Sequence, residues 1–149
     1  MNSTSFGSFS SPNELSSYLE RVYQTAINKL KNGAKRILIL LPPSCGKTTM
    51  LCRIAKEITT EQGKNSIFIS SMKLPIEMLK QKVGEEFSNA KFLTCAELRR
   101  NNYTELKGIE YIFVDDVMLF DRRELMSVLK DYKGISVTMN DPSQEVQHL

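Results

Sequence analysis

The sequence predicts an α/β protein whose mostly parallel sheet is flanked by helices on both faces. Two observations predict this fold class: apolar runs of strand length alternate with segments of helical periodicity, and turn residues separate them. A length of 149 residues favours one domain. Ligands of such sheets bind at the carboxyl ends of the strands, so the residues that follow each strand bear most directly on function.

The first half of the chain contains a helix, a strand and a second helix. Residues 13–33 carry apolar side chains at helical spacing and end at Gly33. Residues 36–41, with the sequence RILILL, form a continuous apolar run that favours a strand buried on both faces of a sheet. After the loop that follows, residues 49–63 predict a helix that ends at Gly63.

The same alternation continues in the middle of the chain. Residues 66–70, with the sequence SIFIS, predict a strand. Residues 74–87 predict a helix, and Pro75 suits its first turn because proline needs no N–H partner there. A short strand over residues 91–95 and a short helix over 96–100 complete this part.

The last part of the chain contains the strongest strand. Residues 101–108 predict a loop, and residues 109–116 an apolar strand that ends in two carboxylates. Residues 121–132 predict a helix with Asp121 as its N-cap, because aspartate accepts hydrogen bonds from the first helical N–H groups. Residues 134–139 predict the final strand.

Composition restricts the classes of protein. The chain is 41% hydrophobic and 25% charged, as is ordinary for globular proteins, and a net charge of +3 permits nucleic-acid contact without requiring it. No apolar run approaches a membrane span. Cys45, Cys52 and Cys95 form no Cys-x-x-Cys pair, so neither a disulfide framework nor a zinc site is expected. These features favour a cytoplasmic protein.

The first residues differ from the rest. Residues 1–12 are rich in serine, end at Pro12 and lack the basic and apolar regions of a secretory signal. We expect them to form a disordered leader, and residues 13–149 to form one folded domain.

A phosphate-binding loop is predicted within ILILLPPSCGKTTML, residues 37–51. Such a loop binds phosphate with a lysine and with backbone N–H groups that converge at the start of a helix. A hydroxyl group next to the lysine binds magnesium. Gly46, Lys47 and Thr48 supply these groups, although Leu41 occupies the position of the usual first glycine. The alternative is a Gly-Lys-Thr that merely begins a helix.

Two carboxylates complete the candidate site. Asp115 and Asp116 follow the apolar strand YIFV, which would bring them to the carboxyl edge of the sheet. Asp115 would hold magnesium, directly or through water, and Asp116 would orient the attacking water. The alternative is that one aspartate caps the following loop and the other is solvated.

These motifs together resemble the first RecA-like motor domain of superfamily 1 and 2 helicases and of type I and III restriction motor subunits. In that group of P-loop NTPases a helix bearing a glutamine precedes the loop, and no glycine is required where Leu41 stands. Pro42 matches the proline of the group, whereas Pro43 and Ser44 replace its usual Thr-Gly.

The resemblance covers about residues 14–147. Residues 66–83 resemble the strand and helix that contact the nucleic-acid backbone in those motors. Residues 111–118 resemble the Asp-Glu-x-x motif, which implies that Asp115 binds the metal and Asp116 replaces the catalytic glutamate.

Two further positions are implied by the resemblance alone. Residues 135–144 occupy the place of the coupling motif, with Asn140, Asp141 and Gln144 resembling its Gly-Asp-x-x-Gln form. Gln24, on the first helix, would recognise adenine; the alternative is a solvated helix glutamine.

The candidate residues fall into three groups. The catalytic candidates are Lys47 and Asp116. The metal-binding candidates are Thr48 and Asp115. The nucleotide-binding candidates are Ser44, Cys45, Gly46, Lys47, Thr48, Thr49 and Gln24.

The chain also departs from the resemblance. Asp116 is one methylene shorter than glutamate. Its carboxylate would therefore lie further from an attacking water molecule, which implies slow hydrolysis. The second RecA-like domain, which supplies an arginine finger, is expected to lie outside these 149 residues. Phage terminase packaging ATPases are also similar because they lack the first glycine and share GKTT, but their loop usually carries an arginine that is absent here.

The resemblance implies an ATP-binding, helicase-like single motor domain that is a slow magnesium-dependent ATPase. Its implied cofactors are ATP and Mg²⁺, and its implied partners are DNA or RNA and a second motor domain or subunit, with no membrane. The alternative is a non-catalytic, nucleotide-dependent binding module or a subunit of a helicase or DNA-packaging motor.

Two sets of residues have competing interpretations. Arg99, Arg100, Arg122 and Arg123 either contact nucleic-acid phosphates or form a solvated face. Five methionines are expected to fill the core rather than line a binding groove. These methionines are Met72, Met78, Met118, Met126 and Met139.

Overall fold

The computed structural model describes residues 12–42 and 45–142. Within them, five strands form one parallel sheet. The strands are β1 (Arg36–Leu40), β2 (Ser66–Ser70), β3 (Lys91–Thr94), β4 (Tyr111–Asp115) and β5 (Ile135–Asn140). Their order across the sheet is β1-β5-β4-β2-β3, so β5 separates the first strand from β4.

Helices connect the strands and cover the sheet, which confirms the predicted fold class. The helices are α1 (Pro12–Lys31), α2 (Lys47–Ile58), α3 (Lys73–Val83), α4 (Cys95–Arg100) and α5 (Leu119–Val128). The predicted second helix is too long at its end, because the backbone of Thr59 is extended and a separate short turn covers residues 61–63.

The core has two parts, one on each face of the sheet. Successive side chains of a strand point to opposite faces, so Phe68 and Phe113 pack beneath α1, α2 and α3. Ile67 and Ile112 pack instead with residues of α4 and α5. The central strands β2 and β4 are therefore buried on both sides and hold the carboxyl edge of the sheet rigidly.

The prediction that residues 36–41 form a strand buried on both faces is wrong. Leu38, in the middle of β1, is 45% exposed, whereas Ile39 is buried. Among the described strands β1 pairs with β5 alone, so it lies at an edge of the sheet. One of its faces packs beneath the helices, and the other retains contact with solvent.

The predicted N-cap of the last helix is also wrong. Met118 occupies that position, and α5 begins two residues before Asp121. Asp121 instead accepts a hydrogen bond from Arg99 of α4 at 2.6 Å. The carboxylate therefore joins two helices on one face of the sheet rather than capping its own helix.

Several predictions fall outside the described residues. The predicted leader reaches Pro12, which is the first residue of α1, and residues 1–11 are not described. Ser44 and Gln144 also lie outside the described ranges. Within those ranges, every helix is too short or too polar to cross a lipid bilayer.

Phe68 provides a test of the core. Its ring is fully buried and lies 5.0 Å from the rings of Phe92 and Phe113. Phe68→Ala should lower the free energy of unfolding by about 3–5 kcal/mol, because it leaves a cavity at the centre of the sheet.

Phe120 is the matched control, since its side chain is 70% exposed. Phe120→Ala should change the free energy of unfolding by less than about 0.5 kcal/mol. Urea denaturation followed by circular dichroism measures both variants. Equal losses in the two variants would contradict the described packing.

Candidate functional site

The chain enters the candidate site between β1 and α2. Gly46 precedes α2 with φ of 78°, a left-handed conformation that side chains other than glycine adopt at a cost. Its carbonyl accepts the first helical hydrogen bond, from the Met50 N–H at 2.9 Å. The predicted glycine is therefore needed to turn the loop into the helix.

Two side chains in the first turn of α2 contact the end of β4. Lys47 is 8% exposed, and its Nζ lies 2.8 Å from Asp116 Oδ1. Thr48 Oγ1 donates a hydrogen bond of 2.8 Å to Asp115 Oδ2. The four residues that carry the predicted chemistry thus meet in two pairs, although they are far apart in sequence.

Asp115 is the most buried ionisable group of the site. It is the last residue of β4 and is 1% exposed. Burial raises the pKa of Asp115 to about 6, and nearby Asp116 adds to the rise, whereas Thr48 and Lys47 oppose it. Its Oδ1 atom has no hydrogen-bond partner among the described residues.

Asp116 differs from its neighbour in exposure and in backbone conformation. Its φ of 56° lies in the left-handed region, which aspartate tolerates better than most residues. Its side chain is 40% exposed, and its backbone N–H donates to the Met139 carbonyl at 3.0 Å. The turn at this residue keeps Asp115 in the sheet while Asp116 reaches Lys47.

Asn140 fixes the loop that follows these two carboxylates. The Val117 N–H donates to Asn140 Oδ1 at 3.1 Å, and Asn140 Nδ2 donates to the Val117 carbonyl at 3.3 Å. The Asn140 carbonyl accepts from the Leu41 N–H at 2.9 Å. One fully buried residue of β5 therefore ties β1 to the loop after β4.

Sequence reasoning named Asn140 only by resemblance and missed this contact. An asparagine at the end of a buried strand was the available signal, because a buried amide needs partners. Asp141 is half-buried beside it.

The remaining nucleotide-binding candidates lie in the loop, on α2 and on α1. Cys45 is half-buried and Thr49 is exposed in the first turn of α2. Gln24 is exposed on α1 and donates to Glu20 at 3.0 Å, while Glu20 also accepts from Arg53 of α2 at 2.8 Å. The adenine role of Gln24 stays a prediction.

Tyr18 is a residue near the loop that sequence reasoning did not single out for function. It is half-buried on α1, and burial raises its pKa, to which the nearby Cys45 also contributes. Its apolar spacing on α1 is typical of a core residue, and no motif marked it for function.

Cys52 lies behind the site on the buried face of α2. Burial raises the pKa of its thiol to about 11, and the charge of Asp115 contributes to the rise. The thiol is therefore neutral at physiological pH and is a poor nucleophile.

The donor set fits a magnesium ion better than a metal that needs a protein cage. Thr48 and Asp115 offer oxygen atoms, which hard cations prefer. Within the described residues, no group of three histidine, cysteine, aspartate or glutamate side chains forms a metal cage. Magnesium suits such a site because it commonly retains water and phosphate ligands.

The arginine cluster is divided by the fold. Arg99 donates to Glu124 and to Asp121 at 2.6 Å each, and these bonds join α4 to α5. Arg100 and Arg123 are exposed. Arg99 therefore has a structural role, and the exposed pair retains the predicted phosphate role as a hypothesis.

The expectation that five methionines fill the core is wrong for four of them. Met139 is fully buried, but the others are exposed by 37% to 58%: Met72, Met78, Met118 and Met126.

Two of these methionines, Met72 and Met118, follow the neighbouring strands β2 and β4, and Leu74 and Phe120 are close to them in sequence. We give the name carboxyl-edge apolar surface to the exposed side chains that follow these two strands: Met72, Leu74, Met118 and Phe120.

The two aspartates should affect stability in opposite directions. Asp115→Asn removes a buried charge and should raise the free energy of unfolding by about 1–3 kcal/mol at neutral pH. Asp116→Asn leaves the buried Lys47 ammonium without its partner and should lower it by about 1–3 kcal/mol. Urea denaturation in metal-free buffer measures both.

The pH dependence follows from the raised pKa of Asp115. The folded value, about 6, exceeds the ordinary value of 3.8, so the folded state binds more protons and loses stability as pH rises between them. The gain from Asp115→Asn should therefore be full above about pH 6 and absent below about pH 4. A gain that does not change with pH would contradict the desolvation argument.

The geometry can be compared with known proteins. The family model of the type III restriction enzyme res subunit matches residues 13–141, which include both halves of the site. No curated protein matches the sequence. The match covers well over half of the chain, and the order of motifs agrees with a RecA-like fold. The chain therefore belongs to the type III restriction enzyme res subunit family, a family of helicase-like, ATP-binding motor domains.

Proposed function

We propose that this domain binds ATP with Mg²⁺ between α2 and β4 and hydrolyses it slowly, acting with nucleic acid and a second motor domain. One observation carries the proposal: Lys47 meets Asp116 and Thr48 meets Asp115, each at 2.8 Å, at the carboxyl edge of a parallel sheet. Lysine, hydroxyl and paired carboxylates are the groups that phosphoryl transfer requires.

Lys47 is suited to the outer phosphates. Its ammonium is largely removed from water and lies at the N-terminus of α2, where backbone N–H groups also favour anions. The Asp116 carboxylate supplies the negative charge that a phosphate would replace. Nucleotide binding is thus an exchange of one anionic partner of Lys47 for another.

Thr48 and Asp115 are the residues that would hold magnesium. When bound, magnesium neutralises phosphate charge and stabilises the transferring phosphoryl group. Asp115 is pre-positioned because its Oδ2 atom is fixed by Thr48 and its backbone is part of β4. Burial keeps competing water away from this carboxylate.

Asp116 is the proposed base. Exchange of its Lys47 contact for a phosphate would release its carboxylate, which is 40% exposed, towards an attacking water. The loop that carries it is held by the Asn140 amide, so its position changes little. A carboxylate one methylene shorter than glutamate must reach further, which supports slow turnover.

The carboxyl-edge apolar surface supports a partner beside the nucleotide site. Met72, Leu74, Met118 and Phe120 are each more than half exposed. Met118 follows Asp116 by two residues, so a second motor domain packed on this surface would also face the nucleotide.

Three exposed basic residues would contact the phosphates of nucleic acid. They lie on the helices that follow β2, β3 and β4, and they are Lys73, Arg100 and Arg123.

The second candidate function is a nucleotide-dependent binding module without hydrolysis. The ion pair between Lys47 and the short Asp116 side chain favours it, because the base is occupied before nucleotide binds.

We propose an intracellular setting for either function, supported by three free cysteines.

Lys47→Ala tests the nucleotide site. The variant should bind ATP and Mg²⁺ at least roughly 10–100-fold more weakly, because a charge-assisted contact to phosphate is lost. Lys64→Ala is the control. Lys64 lies just before the amino end of β2, away from the site, and its side chain is 63% exposed. Calorimetry measures both, and equal affinity in the parent protein and Lys47→Ala would refute the site.

Asp116 variants separate the enzyme from the binding module. Asp116→Asn keeps the left-handed turn and removes the anion that competes with phosphate for Lys47. It should bind ATP at least as well as the parent but lose hydrolysis, because a placed base contributes roughly 10²–10⁴-fold. Asp116→Glu should raise the rate if reach is limiting. Phosphate release measures turnover, and a parent without turnover that Asp116→Glu does not improve would favour the binding module.

A further inference from the structure

Two buried polar atoms at the carboxyl edge lack hydrogen-bond partners within the described residues. They are Asp115 Oδ1 and Ser70 Oγ. Ser70 is 0% exposed and Asp115 is 1% exposed. A buried polar atom without a partner is costly, so two such atoms near each other call for an explanation.

The register of the sheet places these two residues side by side. Phe68 of β2 pairs with Phe113 of β4, and Ile69 pairs with Val114. One residue further along each strand, Ser70 stands beside Asp115. Adjacent strands are about 4.8 Å apart, which brings a serine hydroxyl within reach of a neighbouring carboxylate.

Both side chains also point to the same face. Phe68 and Phe113 lie in the core beneath α1, α2 and α3, with ring centroids 5.0 Å apart. Ser70 and Asp115 follow them by two residues, and strand side chains repeat their direction with a period of two. Thr48 approaches Asp115 from the same layer of helices.

The other neighbour of Ser70 in the sheet is already engaged. Thr94 of β3 pairs with Ser70 in register. Its hydroxyl donates to Glu97 at 3.1 Å and accepts from the Glu97 N–H at 3.2 Å, which caps α4. The Asp115 carboxylate is the stronger acceptor of the two neighbours, and the hydrogen of the Ser70 hydroxyl can rotate towards it.

We propose that Ser70 is a positioning residue for the metal-binding carboxylate. No direct bond joins Ser70 Oγ to Asp115 Oδ1 in the structure, so the hydroxyl donates to Oδ1 through one buried water or after rotation of the serine side chain. This leaves Oδ2 for Thr48 and the metal ion. The contact fixes the plane of the carboxylate, as outer partners of metal ligands generally do. The role of Ser70 towards the metal rests on the proposed function, whereas the Ser70–Asp115 contact does not.

The strand supplies its own control for this proposal. Ser66 is on the same strand and face, is 1% exposed, and has an equally unpartnered hydroxyl. It lies at the amino end of β2, away from the site. Ser70→Ala and Ser66→Ala thus remove the same group from matched surroundings. Ser70→Thr restores a hydroxyl at the position under test.

The first measurement is the melting temperature without nucleotide or metal. Ser66→Ala should leave it unchanged or raise it, because it removes an unsatisfied group. Ser70→Ala should lower it, because Asp115 Oδ1 loses its donor. A Ser70→Ala variant at least as stable as Ser66→Ala would overturn the contact.

The second measurement is the Mg²⁺ concentration that half-saturates binding of a fluorescent ATP analogue. Ser70→Ala should raise it by roughly 10–100-fold, the usual effect of losing an outer partner of a ligand. Affinity for the analogue in EDTA should not change, Ser66→Ala should match the parent, and Ser70→Thr should recover most of the loss.

The outcomes separate this proposal from the proposed function. An unchanged Mg²⁺ requirement in Ser70→Ala would overturn the positioning role even if the parent binds ATP well. A parent that binds no ATP would overturn the proposed function and with it the metal role of Ser70. The melting temperatures would then still decide whether Ser70 donates to Asp115.

Discussion

The buried carboxylate of Asp115 is the constraint on which the rest of the site depends. A charge removed from water is costly, as its pKa of about 6 indicates. The fold offsets that cost with a hydrogen bond from Thr48 and a lysine nearby, and β2 and β5 hold the strand on both sides. Stability is thus lowered at the residue that is proposed to bind the metal ion.

The groups proposed to bind ATP and magnesium are already paired with one another. Lys47 forms an ion pair with Asp116, and Thr48 donates a hydrogen bond to Asp115. The proposed binding of nucleotide would therefore exchange the Lys47–Asp116 contact for a contact to phosphate. Such an exchange lowers affinity for nucleotide, but it allows the free protein to stay folded with a lysine and an aspartate buried.

The edge of the sheet that carries the site also exposes large apolar side chains to solvent. Large apolar side chains follow β2 and β4 without being covered within the described residues. Exposed apolar side chains beside the proposed nucleotide site favour a surface that binds a partner. The exposed methionines add adaptability, because their side chains are flexible and polarisable.

The sequence by itself determined the alternation of strands and helices and the four residues that meet at the site. Those features follow from local periodicity and from motifs such as Gly46–Thr48 and Asp115–Asp116 that the chain encodes over short ranges. Only the tertiary structure decided which strands are central and that Leu38 and four methionines are exposed. It also decided that Asp121 pairs with Arg99, that Asn140 holds Val117 and that Ser70 stands beside Asp115. Those contacts join residues distant in sequence, and their geometry depends on strand order and register, which local periodicity does not specify.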